Sequence, residues 1–165
     1  MINNFDICLE SIDKKHFFIK DGDEQKPAFI LKENGEFEVV NSTKNSINFL
    51  KTDSYIYTSK APKRCDCILY NNDTICFIEL KLTKRTQWKS WRKSANKQLE
   101  TTILNFKNEE IAKNKTLEAY MCCTYCDIND KITKISRATN KIETITYFED
   151  TLNTALYCAT KKEFN

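Results

Sequence analysis

Glycine and proline are almost missing from this chain, with two of each in 165 residues. That scarcity excludes a Gly-rich phosphate loop and long flexible linkers. Histidine occurs once, at His16. A single histidine rules out a histidine-pair metal site supplied within the chain, and it argues against an HNH-type nuclease. No apolar run approaches the roughly eighteen residues of a membrane span, so no membrane association is expected. The first residues, M-I-N-N-F-D-I-C, lack the basic start and apolar core of a secretory signal. A cytoplasmic location is expected, where the eight cysteines would stay mostly reduced.

What is present fits one domain over residues 1–165. Hydrophobic residues make up 41% and charged residues 30%, proportions that suit a globular chain long enough to bury a core. The net charge of +3 is small, so the placement of charge carries more information than its sum.

The chain is organised around residues 64–81, R-C-D-C-I-L-Y-N-N-D-T-I-C-F-I-E-L-K. Two apolar runs flank the tetrad Asn71-Asn72-Asp73-Thr74, the pattern of a β-hairpin. A turn symmetric about Asn72 and Asp73 sets Asp66 opposite Glu79. Side chains alternate along a strand, so Asp66, Ile68 and Tyr70 share a face with Ile75, Phe77, Glu79 and Lys81. Cys65, Cys67, Leu69, Cys76, Ile78 and Leu80 face the other way. One face is wholly apolar, and the other carries Asp, Glu and Lys at its open end. Two carboxylates on neighbouring strands can share a hard divalent cation such as Mg²⁺. A lysine beside them can hold an attacking water and offset charge on a phosphate. The bland alternative is a surface Glu-x-Lys ion pair, but apolar neighbours such as Phe77, Ile78 and Leu80 make simple surface decoration a poor fit.

Asp66 followed by Glu79-Leu80-Lys81 on the next strand resembles the PD-(D/E)xK nucleases, with Cys65 standing where the name-giving proline would be. The resemblance implies a restriction-endonuclease-like α/β domain with a mixed central sheet flanked by helices. It implies that Asp66 and Glu79, with the Leu80 carbonyl as a further ligand, bind Mg²⁺ (or Mn²⁺), and that Lys81 positions the attacking water. In several branches an acidic residue on the first helix completes the metal site, which makes Glu10 a candidate on a helix over residues 4–12. Many members carry a helix Gln facing the metal, the position of Gln98 here. The Tyr of the Q-x-x-x-Y form is replaced by Thr102.

After the hairpin the composition changes. Residues 81–97 hold Lys81, Lys84, Arg85, Lys89, Arg92, Lys93 and Lys97 with no Asp or Glu, and both tryptophans, Trp88 and Trp91. Cations interleaved with flat rings suit a nucleic-acid backbone, so Lys84, Arg85, Trp88, Lys89, Arg92 and Lys93 are the expected contacts. The alternative is a solvated basic face with the tryptophans as core anchors. A helix is expected over residues 90–112 from Leu99, Ile103 and Phe106. Strands are expected over 28–32 and 36–40, joined as a hairpin at Asn34-Gly35, over 54–58, and over 117–124 as a buried central strand. A hairpin about Thr139-Asn140 is expected from 131–136 and 141–147, then a last helix capped by Asp150. The C-x-x-C of Cys123 and Cys126 has no matching second pair for zinc. Cys8 with Cys122, Cys123, Cys126 or Cys158 does not match iron–sulfur spacing, so the cysteines read as buried apolar residues.

The first functional expectation is a metal-dependent endonuclease or exonuclease acting on DNA, with RNA the other candidate. It would serve in restriction, phage defence, junction resolution or repair, and a homodimer would let both strands be cut. The alternative is a catalytically inactive module of the same fold that binds nucleic acid or protein, as an immunity or accessory subunit would.

Overall fold

A computed structural model describes residues 8–22, 26–43, 45–52, 63–84, 87–135 and 139–165. Among the described residues it is a mixed α/β structure, mostly strand, with two sheets and α-helices over Trp88–Phe106 and Ile142–Leu152. Strands β1 (Leu9–Ile12), β2 (His16–Lys20), β3 (Phe29–Leu31), β4 (Phe37–Asn41) and β5 (Ile47–Lys51) precede the hairpin of β6 (Cys67–Tyr70) and β7 (Thr74–Leu82). Helix α1 (Trp88–Phe106), β8 (Thr116–Cys126), β9 (Ile132–Lys134), α2 (Ile142–Leu152), β10 (Thr154–Tyr157) and β11 (Lys161–Phe164) complete it.

The larger sheet runs β1-β5-β6-β7-β8-β10, with β9 pairing the far end of β8. The smaller runs β11-β4-β2-β3. Strands β5, β6 and β7 form an antiparallel meander, whereas β7, β8 and β10 are parallel, with α1 and α2 as the crossovers. That arrangement makes three layers, because β7 is covered on both faces. Its Ile75 and Phe77 pack with Leu99, Ile103 and Phe106 of α1 and Phe148 and Leu152 of α2. Its Cys76, Ile78 and Leu80 pack with Phe17, Ile19, Phe37 and Val39 of the smaller sheet. Truncating a fully buried ring such as Phe77 to alanine costs about 3–5 kcal/mol. The two sheets are also tied by charge: Lys162 on β11 lies 2.7 Å from Glu118 on β8, which accepts a hydrogen bond from the Tyr120 hydroxyl at 2.6 Å.

The hairpin has the expected register, pairing Cys67 with Ile78 and Tyr70 with Ile75. Its turn is fastened by Asn71, whose Oδ1 accepts from the backbone of Asp73 and Thr74, both at 2.9 Å. Cys65 departs from the expected alternation. It joins the helix-side core because the chain bends at Asp66, before β6 begins.

Other expectations need correction. Residues 9–12 are not helical but form an edge strand on β5, while 4–7 lie outside the described residues. The strands about Asn34-Gly35 exist but do not pair, because β2 is inserted between them. The strand expected over 54–58 lies outside the described residues. Residues 142–147 belong to α2, with Lys141 at its N-cap, and Ile145, Phe148 and Leu152 fall at helical spacing, the last two buried. The inward stripe of period 3.6 outweighs the β-branched alternation of Ile142, Thr144 and Thr146. Helix α2 ends at Asn153, in the left-handed region at φ 52°. Of the segment assigned to a last helix, Asp150, Thr151 and Leu152 are the end of α2, and the residues after the cap form β10. Helix α1 starts at Trp88 and stops at Phe106, earlier than the expected end at 112.

Gly35 is required by a close approach. A Cβ there would lie 2.5 Å from Phe18 Cβ and 2.8 Å from the Ile19 carbonyl oxygen on β2. Gly35→Ala must push β2 and β4 apart, so a loss of about 1–3 kcal/mol is expected in denaturant unfolding.

Candidate active site

Past Phe77, the helix-side face of β7 continues with Glu79 and Lys81. Glu79 is only 3% exposed, whereas Lys81 emerges at the strand end. Helix α1 crosses above: Gln98 donates its amide hydrogen to Glu79 Oε1. Opposite, the Leu80 N–H donates to Asp66 Oδ2 at 2.6 Å. Asp66 is held from behind as well. Thr52 donates from N–H to the Asp66 carbonyl at 3.3 Å and from its hydroxyl to the Cys65 carbonyl. The Cys65 N–H donates to Thr102 Oγ1 at 2.9 Å, and Arg64 Nη1 to the Thr101 carbonyl at 3.3 Å. The strand end and the helix are thus locked together, and a fixed frame of this kind is what preorganised chemistry needs.

Asp66, Glu79, Leu80 and Lys81 line one cavity of about 770 Å³. Trp91, Ser94 and Gln98 form its helical wall, at the spacing of one helix face. Asp21, Gly22 and Lys26 enter from the segment after β2, and Lys63 and Arg64 from the approach to the hairpin. Three carboxylates therefore meet four cations in one opening, a charge pattern suited to a divalent cation and a phosphate together.

The donor set bears on the metal directly. Among the described residues no group of three or more His, Cys, Asp or Glu side chains is placed to hold a metal. Mg²⁺ does not require such a cage: it commonly takes one or two carboxylates and completes its shell with waters and substrate phosphates. Asp66, Glu79 and the Leu80 carbonyl are all hard oxygen donors, which fits Mg²⁺ or Mn²⁺. The nearby thiols do not compete as ligands. Burial pushes Cys65, Cys67 and Cys122 far above the ordinary thiol range, so they are not thiolates.

The structure brings together Asp66, Glu79, Leu80, Lys81 and Gln98. It does not bring Glu10 to them. Glu10 lies on β1 opposite Phe49, exposed, with Oε2 3.7 Å from Lys51 Nζ, and β5 and β6 stand between β1 and β7. Its expected role placed it on a helix, whereas Glu10 lies on strand β1. Trp88 is 7% exposed within the helix-side core, so it serves as an anchor and offers no stacking face. Trp91 reaches the cavity, its ring 5.4 Å from that of Trp88. Lys89, Arg92 and Lys93 do not line the opening. Arg92 turns the other way, donating to the Thr139 carbonyl at 3.4 Å. Lys84 borders the adjoining surface, and Arg85 lies outside the described residues.

Sequence reasoning missed Asp21, Lys26, Lys63, Arg64 and Ser94. Lys63-Arg64 carried a signal, standing just before Asp66. Ser94 did too, because it lies one helical turn before Gln98. Asp21 and Lys26 carried none, because only the stacking of the small sheet on the large one brings them in. No protein-family model, curated protein or solved structure matches the chain.

Behind the cavity, Glu36 is 3% exposed and its Oε2 has no hydrogen-bond partner among the described residues. Burial and the charge of Asp21 raise its carboxyl to about 7, against the Asp21 N–H and the cations Lys20 and Lys81. The unfolded carboxyl releases its proton near pH 4.5 and the folded one near 7. Between those values the folded state holds more protons, so this group lowers stability as pH rises. In Glu36→Gln that contribution is absent. The variant should gain on wild type by on the order of 3 kcal/mol across the window, read by denaturant unfolding at a series of pH values.

All eight cysteines are free, and six are buried. With an aromatic disulfide reagent, Cys126 should react at once and Cys158 more slowly. The six buried thiols should react only on unfolding.

Proposed function

We propose that the chain is a Mg²⁺-dependent nuclease of the PD-(D/E)xK type, hydrolysing phosphodiester bonds in DNA. The observation that carries this reading is the single cavity in which Asp66, Glu79 and Lys81 meet, with Lys26, Lys63 and Arg64 around them. Asp66, Glu79 and the Leu80 carbonyl would hold the cation, which when bound supplies Lewis acidity to the phosphate and acidity to a water. Lys81 hydrogen-bonds the attacking water, directs it at phosphorus and offsets the charge of the non-bridging oxygens. The water oxygen forms the new bond to phosphorus and gives up one proton to solvent, the bond to the leaving sugar oxygen breaks, and that oxygen takes up one proton from solvent. Gln98 acts through Glu79 and is a positioning residue. Lys63, Arg64 and Lys26 bind the backbone and carry no sequence information.

A restriction-endonuclease-like core belongs to the same proposal. The supporting features are the antiparallel hairpin, the parallel β8 and the intervening α1 placed over the carboxylates. A homodimer, a cytoplasmic setting and a role in restriction, phage defence, junction resolution or repair are consistent extensions. A second reading, an inactive binding module, is favoured by one observation: Leu80 and Gln98 already occupy an oxygen of each carboxylate.

Cleavage of linear, circular, single-stranded and branched DNA, and of RNA, separates the two. Wild type should cut at least one in Mg²⁺ or Mn²⁺, and Asp66→Ala, Glu79→Ala and Lys81→Ala should fall to background. Gln98→Ala should weaken apparent metal affinity by about 10–100-fold, as loss of an outer-shell partner does. No cleavage of any substrate by folded wild type would leave the binding module.

A further inference from the structure

The cavity holding Asp66 and Glu79 does not end at Lys81. A second opening, of about 650 Å³, shares that lysine and is lined besides by Leu82, Thr83, Lys84, Gln87, Tyr125 and Cys126. Its frame follows from the fold. Strands β7 and β8 run parallel to a shared end, where Leu82 pairs with Thr124. Thr83 is fastened there, its N–H donating to the Thr124 carbonyl at 2.9 Å and its Oγ1 to Gln87 Oε1 at 2.8 Å. Tyr125 is half-buried, packs against the helix-side core and also lines the opening. No carboxylate lines this opening among the described residues.

The wall thus brings two ammonium groups, Lys81 and Lys84, an amide, Gln87, and an aromatic residue, Tyr125, into one opening. Those groups suit a phosphate and its base. A base can stack on Tyr125 only if its own face is uncovered, which pairing within a stacked duplex prevents. The volume lies in the range of small-ligand pockets, enough for a nucleotide.

We propose that this second cavity seats an unpaired nucleotide beside the phosphate being cut, so that the substrate is a DNA strand single-stranded on that side. Lys84 binds its phosphate and Tyr125 stacks its base. The proposal rests on the nuclease reading and adds the substrate class.

The test measures fluorescence anisotropy of a labelled single strand, and of the same sequence as blunt duplex, with Ca²⁺ replacing Mg²⁺. Cleavage by wild type in Mg²⁺ is followed in parallel. Wild type and Tyr125→Phe should bind the single strand alike and more tightly than the duplex. Tyr125→Leu keeps apolar contact with the core but lacks the ring, and it should bind the single strand about tenfold more weakly. Lys84→Ala, at an exposed position, should also bind more weakly, with a salt dependence reduced by about 0.7 in log–log slope. The bound strand should slow modification of Cys126, which among the described residues is the exposed cysteine. Single-strand binding unchanged in Tyr125→Leu and Lys84→Ala, or no protection of Cys126, overturns the seat. If wild type still cleaves in Mg²⁺, the nuclease reading survives that result. Wild type that neither binds nor cleaves DNA overturns both.

Discussion

Strand β7 is packed on both faces, and the site depends on that constraint. Ile75 and Phe77 are held by the helices and Cys76, Ile78 and Leu80 by the smaller sheet, so neither a register slip nor a rotation is available without exposing a full row of apolar side chains. Alternation then dictates that Glu79 points at α1 and that its carboxylate is buried at the end of the helix-side core. A buried carboxylate is costly unless something favours it. Here Gln98 supplies a donor and the cavity supplies cations. The charge is therefore fixed in position by packing that has nothing to do with chemistry.

The second carboxylate is fixed by a different device. Asp66 sits just before β6, where ladder pairing has not begun, and the Leu80 N–H takes its Oδ2. Thr52, just after β5, donates to the Asp66 carbonyl, and Thr102 on α1 accepts from the Cys65 N–H, so the same segment is anchored on both sides. Two strands and one helix thus agree on where the two acidic groups lie. Such agreement is what distinguishes a built site from a chance surface pair.

How far this was legible in the sequence varies with the range of the forces involved. The hairpin register and the faces of β7 were legible, since both follow from local alternation and an Asn/Asp turn. Gln98 was legible as a helix position, and its bond to Glu79 needed only that α1 cross the strand end. The pairing of β3 and β4 was misread because Asn34-Gly35 is a local turn signal, whereas β2 separates the strands through the packing of Phe17 and Ile19. Residues 141–147 were misread because β-branched residues suggest strand locally, while burial of Phe148 and Leu152 decides for helix. The basic run was legible as composition but not as direction. Once Trp88, Ala95 and Leu99 face the core, helical geometry sends Trp91, Ser94 and Gln98 to the cavity and leaves Lys89, Arg92 and Lys93 on other faces. The cations that do line the cavity come largely from elsewhere, at Lys26, Lys63 and Arg64.

The central claim is that Asp66 and Glu79 share one divalent cation. Titration of the full chain with Mn²⁺, followed by electron paramagnetic resonance, tests it without reference to any substrate. The account predicts saturable binding in wild type, displaced by Mg²⁺ and lost in both Asp66→Ala and Glu79→Gln, with each variant folded by circular dichroism. Mn²⁺ binding that is absent in wild type, or unchanged in both variants, would contradict it.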